Sequence, residues 1–335
     1  MIGCKADSTI QRVAHGAFQY PLGSYPVEPM EPKAGYSLHF EPADGDDEHG
    51  EWEEWPDRYV FDAVVSAERV EPLCRMLFAM LSGRVFPILD VLGHDAHREI
   101  DPYIAYDLVG LDRFTDAVRR YRDFLYEDGM CGFGAMSEEP FFYIFIDEHK
   151  IVTVRAEPDL KEKVEKILAA FDLEQMDEPA GSDAAAHEHR SVLAAPADQP
   201  DLLTAEEIVE HLKDDWQLLL NVDPDTNVDD DGHELGSTPW RCIMRCEYEG
   251  KPARYAEFIL DADCLRAAEE GSFEAADELV GEDENGWEDA VIVALDRLKP
   301  EQLVELGVKP KPIKGPSKEG SEESGATVHS SKWLA

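Results

Sequence analysis

The feature that most constrains the fold of this chain is the alternation of two hydrophobic periods over residues 57–173. In residues 59–65 apolar and polar side chains alternate, which predicts a half-buried strand. Between Phe114 and Leu125 apolar residues recur every three or four positions, which predicts a helix with one buried face. The continuous apolar run over residues 141–146 is typical of a central strand. A chain that switches repeatedly between these periods folds as a mixed α+β protein.

The predicted elements of residues 57–173 follow the order β-α-β-β-α-β-β-α. They are strand 59–65, a helix starting near Pro72, strands 85–92 and 103–109, a helix over 114–125, strands 141–146 and 151–154, and a helix from Pro158. The first six elements match the split βαβ arrangement called ferredoxin-like. We therefore expect a ferredoxin-like first domain with an extra strand and helix. The glycine-rich residues 129–134 are interpreted as a helix stop and a flexible connection.

Composition divides the rest of the chain into four further regions. Residues 1–56 predict an irregular N-terminal segment with edge strands near 13–18 and 36–40. Residues 174–203 are rich in Ala, Pro and Asp and predict a linker. Residues 204–308 predict a second, smaller α+β domain, and residues 309–335 predict a disordered tail.

The second domain has its own clear pattern. Thr204 and Glu207 form a capping box at the start of a helix. Residues 240–248 and 253–260 predict a hairpin. The first of these strands places two cysteines and three large apolar residues on one face, which indicates buried apolar cysteines. Two short helices within 262–280, a strand at 290–295 and a helical turn at 300–306 complete the domain.

The charge of the chain argues against two kinds of partner. The formal net charge is −42, from 73 acidic and 31 basic residues. Direct nucleic-acid binding and adsorption to anionic membrane both need a cationic surface, so we expect neither. We find no long apolar run that would span a membrane and no secretory h-region near the N-terminus. Six scattered cysteines fit a reducing compartment, so a cytoplasmic location is predicted.

The strongest chemical pattern lies in residues 223–234, whose spacing is similar to a calcium loop of the EF-hand type. Side chains with oxygen ligands fall at the ligand positions of such a loop, and they are Asp223, Asp225, Asn227, Asp229, Asp231 and Glu234. Alternate residues of a tight loop can direct their oxygens at one Ca²⁺ ion. Val228 stands where that loop needs glycine, and Asp230 stands where an apolar residue is usual. The pattern therefore predicts a weak calcium site, with a solvated acidic loop as the alternative.

Two histidine-containing clusters offer other ligands. Residues 94–99 contain His94 and His97 with two carboxylates, so zinc is one interpretation and a polar connection between strands is the other. His187 and His189 fall in the predicted linker and are interpreted as solvated side chains.

The acid is concentrated in residues 41–57, 221–234 and 269–289, which contain no Lys or Arg. Salt adaptation is one explanation of this pattern and a binding surface is another. No nucleophile elbow, Walker sequence or kinase signature is present, so an enzyme is the less favoured class. We expect an acidic binding or regulatory protein that presents its acidic surface to a protein partner, which a basic surface on that partner would complement. Two alternatives stay open: a metal-dependent hydrolase whose carboxylates assemble only in the fold, and a nucleic-acid mimic that inhibits a DNA-binding protein.

Overall fold

The computed structural model describes residues 3–43, 55–194, 202–248, 251–280, 289–308 and 326–334. Within these residues the chain is a mixed α+β protein, as the sequence predicts. It divides into two compact units. Unit 1 comprises Met1–Val91 and Pro102–Asn221, and unit 2 comprises Leu92–Asp101 and Val222–Ala335. The described part contains no helix that is both long and apolar enough to cross a membrane.

The elements that lie wholly or mostly in unit 1 are thirteen strands and five α-helices. The strands are β1 (Ala14–His15), β2 (Phe18–Gln19), β3 (Ser24–Pro26), β4 (Gly35–Glu41), β5 (Arg58–Val64), β6 (Arg84–Leu92), β7 (Ile100–Ala105), β8 (Val109–Gly110), β9 (Cys131–Ser137), β10 (Phe142–Ile146), β11 (Val152–Ala156), β12 (His187–His189) and β13 (Leu218–Leu220). The helices are α1 (Ala67–Phe78), α2 (Leu111–Arg120), α3 (Arg122–Glu127), α4 (Lys161–Ala170) and α5 (Ala205–Trp216).

One large sheet organises unit 1. Its strands follow the order β13-β7-β6-β9-β10-β11-β5-β4, with β8 paired to β6. β10 is antiparallel to both of its neighbours, so that Ile144 lies opposite Ala135 on β9 and Val154 on β11. From β5 to β9 the elements follow the order β-α-β-β-β-α-β when α2 and α3 are taken as one helical position, and the third of the middle strands is the two-residue strand β8. The finer ferredoxin-like topology stays a prediction.

The core of unit 1 is formed by this sheet and the helices. Leu73 and Leu77 of α1 are fully buried and belong to the same cluster as Phe133 and Ile144 of the sheet. Helix α1 begins at Ala67 and contains Pro72, whereas the sequence predicts a start near that proline. The proline is exposed, so the buried face of the helix continues past it on both sides.

Strand β9 shows that the interpretation of residues 129–134 as a flexible connection is wrong. Cys131–Ser137 form a central strand between β6 and β10. A Cβ atom added to Gly134 would lie 2.1 Å from the carbonyl oxygen of Ile144. Glycine inside a strand often marks such a close approach of two backbones. The glycines that suggested flexibility are therefore required by the packing of β10 against β9.

Residues 174–194, from the predicted linker, belong to unit 1. β12 pairs antiparallel with β3, so that His187 lies opposite Pro26 and His189 opposite Ser24. The amide of Lys33 donates to the carbonyl of Ala180 over 2.9 Å. The segment is attached largely through main-chain hydrogen bonds to irregular N-terminal residues, which leave no hydrophobic period in the sequence.

Helix α5 also lies in unit 1, whereas the sequence assigns it to the second domain. Its predicted capping box is present, since the Glu207 amide donates to Thr204 Oγ1 and the Thr204 amide donates to Glu207 Oε2. Ile208, Leu212 and Trp216 are fully buried in the core of unit 1. The division between the units therefore falls after Asn221, and it differs from the boundary expected at residues 174–203.

Unit 2 is built on a four-stranded sheet. Its elements are β14 (Thr238–Tyr248), β15 (Lys251–Ala262), α6 (Leu265–Val280), β16 (Asp289–Arg297), α7 (Pro300–Glu305) and β17 (Thr327–Trp333). The strand order is β16-β14-β15-β17. The predicted hairpin is confirmed, because β14 pairs antiparallel with β15 and Met244 lies opposite Ala256. The predicted buried face of β14 is confirmed as well and consists of Trp240, Cys242, Met244, Cys246 and Tyr248.

Two predictions for unit 2 are wrong. Residues 265–280 form one helix, α6, rather than two short helices. Residues 327–333 lie in the predicted disordered tail, yet they form β17, in which Ser331 pairs with Phe258 of β15. The guanidinium of Arg254 lies 3.8 Å from the centre of the Trp333 ring. The polar composition of residues 327–333 does not predict a strand. The strand forms because it pairs with β15, which lies far away in the sequence.

Some predictions fall outside the described residues. They include positions 44–54 of the first acidic block, 281–288 of the third, and 309–325 of the predicted tail. The second acidic block, residues 221–234, is described in full.

Candidate metal centre

Three histidines from two separate segments meet in unit 1. His149 lies in the turn between β10 and β11, and His187 and His189 are the two ends of β12. Side chains two positions apart on a strand point to the same face, so β12 presents both imidazoles together. The ring centres lie 4.7 Å apart for His149 with each of the other two, and 5.0 Å apart for His187 with His189. All three rings are half-buried.

Backbone carbonyls fix the protonation of two of the rings. His187 Nδ1 lies 2.8 Å from the carbonyl oxygen of Ala185, and His189 Nδ1 lies 2.8 Å from that of Gly129. A carbonyl oxygen only accepts, so each Nδ1 must carry the proton and donate it. In the neutral ring the Nε2 atom then holds the lone pair and is free to ligate a metal.

Carboxylates surround the third ring. His149 Nδ1 lies 3.5 Å from Asp147 Oδ2 and 3.4 Å from Glu148 Oε1. Asp147 is itself held, because its Oδ1 accepts the amide proton of Ile151 over 2.8 Å. Burial alone would lower the pKa of His149, but the neighbouring carboxylates of Asp147, Glu148 and Asp183 outweigh it and raise the pKa above its ordinary value. The pKa of His189 is lowered, chiefly by burial and further by its two histidine neighbours. The hydrogen bond to the Gly129 carbonyl acts in the opposite direction but does not outweigh them.

The contact between two Nε2 atoms decides what the cluster can do. His149 Nε2 and His187 Nε2 lie 3.0 Å apart. His187 Nε2 presents a lone pair, because the proton of that ring is on Nδ1. Two arrangements satisfy this contact: His149 donates a proton from Nε2, or a metal ion takes both lone pairs. The carboxylates beside His149 Nδ1 favour a positive charge here, either on a doubly protonated ring or on a metal ion.

The cluster fits the geometry of a transition-metal site. A zinc ion binds imidazole nitrogen at about 2.0–2.1 Å, so two ligands of a tetrahedral centre lie roughly 3.3 Å apart. The 3.0 Å contact is close to that value, and the ligand atoms of all three histidines lie within 4.8 Å of one another. Ligating histidines usually donate their second nitrogen to a carbonyl or a carboxylate, which orients the ring and raises its basicity. Each of the three histidines has such a partner here.

The predicted calcium loop is less convergent. Of its six expected ligands, the structure brings Asp229 and Asp231 within 4.8 Å, together with His233. Asp229 already accepts hydrogen bonds from the amides of Asp231 and His233, over 3.1 and 2.8 Å. Hydrogen bonds from the His233 amide and other loop donors lower the pKa of Asp229. Part of the carboxylate charge is therefore used to shape the loop itself.

Two other expected ligands have partners outside the loop. Asp225 forms a bidentate ion pair with Arg266, over 2.6 and 3.0 Å. Asn227 is buried, donates to Gly236 and Thr238, and accepts from Arg297 over 3.0 Å. Asp223 accepts from the Asp225 amide, and Glu234 lies at a β-bridge to Val228. Calcium binding at this loop stays a prediction, and it would require Asp225 to leave its arginine.

The cluster at residues 94–99 contains a buried ion pair. Asp95 and Arg297 have side chains that are 0% and 4% exposed, and Arg297 Nη2 lies 2.9 Å from Asp95 Oδ1. The amide of Arg297 also donates to Asp95 Oδ2 over 2.8 Å. Burial raises the pKa of Asp95, but the hydrogen bonds from Arg297 outweigh burial and hold the pKa below its ordinary value. Asp95 is thus neutralised by an arginine, which favours the structural interpretation of this cluster over the zinc one.

Sequence reasoning missed the histidine cluster. The His-X-His spacing of His187 and His189 was a usable signal, because it places two imidazoles on one face if the segment is a strand. The interpretation of residues 174–203 as a linker removed that signal. His149 lies 38 positions before His187, so no local motif connects them.

Comparison of the chain with protein-family models, with curated proteins and with solved structures finds no match.

Proposed function

We propose that this chain binds a divalent transition-metal ion of the Zn²⁺ class through His149, His187 and His189. The observation that carries the proposal is the convergence of the three histidines, whose ligand atoms lie within 4.8 Å of one another, with His149 Nε2 and His187 Nε2 3.0 Å apart. Imidazole ligands suit zinc, copper, iron and nickel, whereas calcium and magnesium prefer oxygen ligands.

Three imidazoles leave one position of a tetrahedral ion to an outside ligand. Sites with three protein ligands typically hold water or substrate at the fourth position. Asp147 and Glu148 contact His149 on its Nδ1 side, so they support the ring instead of supplying that fourth ligand. Their negative charge also favours a cation at the cluster. This arrangement supports reversible binding of a metal ion with an exchangeable fourth ligand.

The test is calorimetric titration of the metal-free protein with Zn²⁺, together with the visible spectrum of the Co²⁺-loaded protein. We expect one site per chain and tetrahedral Co²⁺ absorption. Loss of an outer carboxylate typically weakens metal binding about 10–100-fold, so Glu148→Gln should weaken it by roughly tenfold and His189→Ala by more than about 100-fold.

The matched control is His39→Ala. His39 is exposed and its ring pairs with Glu41, so its loss should leave the zinc affinity unchanged. Zinc binding that survives the loss of His149, His187 and His189 one at a time would contradict the proposal.

The expected binding of a protein partner by an acidic surface stays a second proposal. The described acidic block at residues 221–234 contains exposed Asp230 and Asp231, which support it. The metal-dependent hydrolase and the nucleic-acid mimic also stay predictions. If the hydrolase alternative were pursued, the fourth metal position would be the place for its water, with imidazoles rather than carboxylates as ligands.

A further inference from the structure

We infer that metal binding at the histidine cluster fastens residues 180–192 onto the sheet of unit 1, so that occupancy of the site controls how firmly this segment is held. The inference rests on the proposed metal site. It concerns regulation by the metal, and it follows from where the ligands are attached.

One side of the site is firmly held. His149 lies in the short turn between β10 and β11, which are adjacent strands of the large sheet. Ile146 and Val152, at the two ends of this turn, are fully buried and pair with each other. The turn is further fixed by the hydrogen bond from the Ile151 amide to Asp147.

The other side is weakly held. Ser182 and Val192 are each 1% exposed, but none of the residues 183–191 between them is buried. β12 is three residues long, and within the described residues it pairs with the three-residue strand β3. Its flanks are held by main-chain hydrogen bonds: the Val27 amide donates to Ala186, the Arg190 amide donates to Gly23, and the Gly129 amide donates to Arg190. The Arg190 side chain adds a hydrogen bond to the Leu22 carbonyl. Segments with few buried apolar contacts open locally at low free energy.

A metal ion would join these two sides. It needs His149 from the turn and at least one histidine from β12, so it binds tightly only when the segment is docked. A ligand that binds only the docked form reduces the open population by a factor of about 1 + [L]/Kd. At free Zn²⁺ of 100 times Kd, opening of residues 180–192 should therefore fall by about 100-fold.

Tryptic cleavage provides a direct probe, because Arg190 is the only Lys or Arg within residues 174–203. The full chain is digested at equal trypsin activity, verified with a small chromogenic substrate, with Zn²⁺ or after chelation. We expect cleavage after Arg190 to slow by about 100-fold with zinc at 100 times Kd. Amide exchange of residues 183–191 should slow in parallel, while β10 and β11 should be unaffected.

Variants test whether the effect of zinc on cleavage after Arg190 depends on the histidine cluster. In His149→Asn cleavage after Arg190 should no longer respond to zinc, and His39→Ala should respond as the wild type does. Unchanged amide exchange in β9 and β10 verifies that His149→Asn is folded, and His187→Ala provides a second variant if it is not. Zinc binding by calorimetry without any change at Arg190 would overturn this inference and leave the proposed function standing. Absence of zinc binding would overturn both.

Discussion

The histidine cluster of unit 1 and the acidic loop of unit 2 both bring metal-ligating side chains together, but they differ in the source of the balancing cation. In the loop, Arg266 neutralises Asp225, and Arg297 contacts Asn227. The cations there belong to the chain. In the cluster, His149 Nε2 and His187 Nε2 face each other, and the neighbours of these rings include carboxylates and carbonyls. A proton or a metal ion from solution would balance the carboxylates beside His149.

Two aspartates show the same difference in their pKa values. Asp90 is half-buried on β6 of unit 1, and desolvation first and the charge of Glu148 second raise its pKa to about 6. Asp95, in unit 2, is buried, but the hydrogen bonds of Arg297 outweigh burial and keep its pKa below the ordinary value. Burial alone does not determine the charge of a carboxyl group, because a well-placed arginine reverses its effect.

The largest expected effect is the loss of Arg297, whose guanidinium pairs with buried Asp95 in unit 2. Arg297→Leu leaves Asp95 buried without its partner, which typically costs about 3–5 kcal/mol in the free energy of unfolding. Chemical denaturation, with amide exchange of β14 and β16 to localise the loss, measures the effect. Arg266→Leu is the control, because the Arg266–Asp225 pair is exposed and such pairs contribute little.

A double variant tests whether charge is the cause. If the lost cation matters, Asp95→Leu combined with Arg297→Leu should be more stable than Arg297→Leu alone, because no buried charge is left. A double variant as unstable as Arg297→Leu would show that Arg297 stabilises the protein through its packing. The electrostatic contrast between Asp95 and the histidine cluster would then be contradicted.

The second effect concerns the half-buried Asp90, whose pKa is raised by desolvation and by the charge of Glu148. Its folded pKa of about 6 lies above the ordinary value, so the folded state binds the proton more tightly than the unfolded state. Its contribution is therefore favourable at low pH and is lost as the pH rises from about 4 through 6. Asp90→Asn should stabilise the protein at pH 8 by about 1–3 kcal/mol, and the gain should shrink towards pH 4.

The measurement is the free energy of unfolding of both proteins over that pH range. A difference between Asp90→Asn and the wild type that does not change with pH would show that the pKa of Asp90 is the same in the folded and unfolded states.

The sequence predicted the elements that are specified by their own residues, through a local hydrophobic period or a local cap. The β14–β15 hairpin, the capping box of α5 and the apolar strand β10 are examples. Sequence-based prediction failed for the strands that are stabilised by pairing with a strand distant in the sequence. Strand β9 contains glycines because β10 approaches it closely, and β17 is a strand because β15 offers an edge.

The candidate sites follow the same rule. The acidic loop was visible because its side chains alternate within twelve residues, but its partner Arg297 lies 70 positions after Asn227. The histidine cluster was missed because it needs β3 to hold β12 as a strand, and this pairing is not a property of residues 187–189 alone. Local residue spacing therefore identifies candidate ligands, whereas the tertiary structure determines which charged groups lie next to them.

The smallest expected effect is calcium binding at the acidic loop. Because Asp225 must leave Arg266 to serve as a ligand, Arg266→Gln should tighten calcium binding by a few-fold. We expect a wild-type Kd of about 10⁻⁴–10⁻³ M, since Val228 replaces the turn glycine. Asp223→Ala should remove the site, and His189→Ala should leave it unchanged. Calorimetry with millimolar Ca²⁺ measures all four proteins. Heat that is absent in the wild type and in Arg266→Gln alike would mean that the carboxylates of the loop serve its own hydrogen bonds and ion pairs and do not bind calcium.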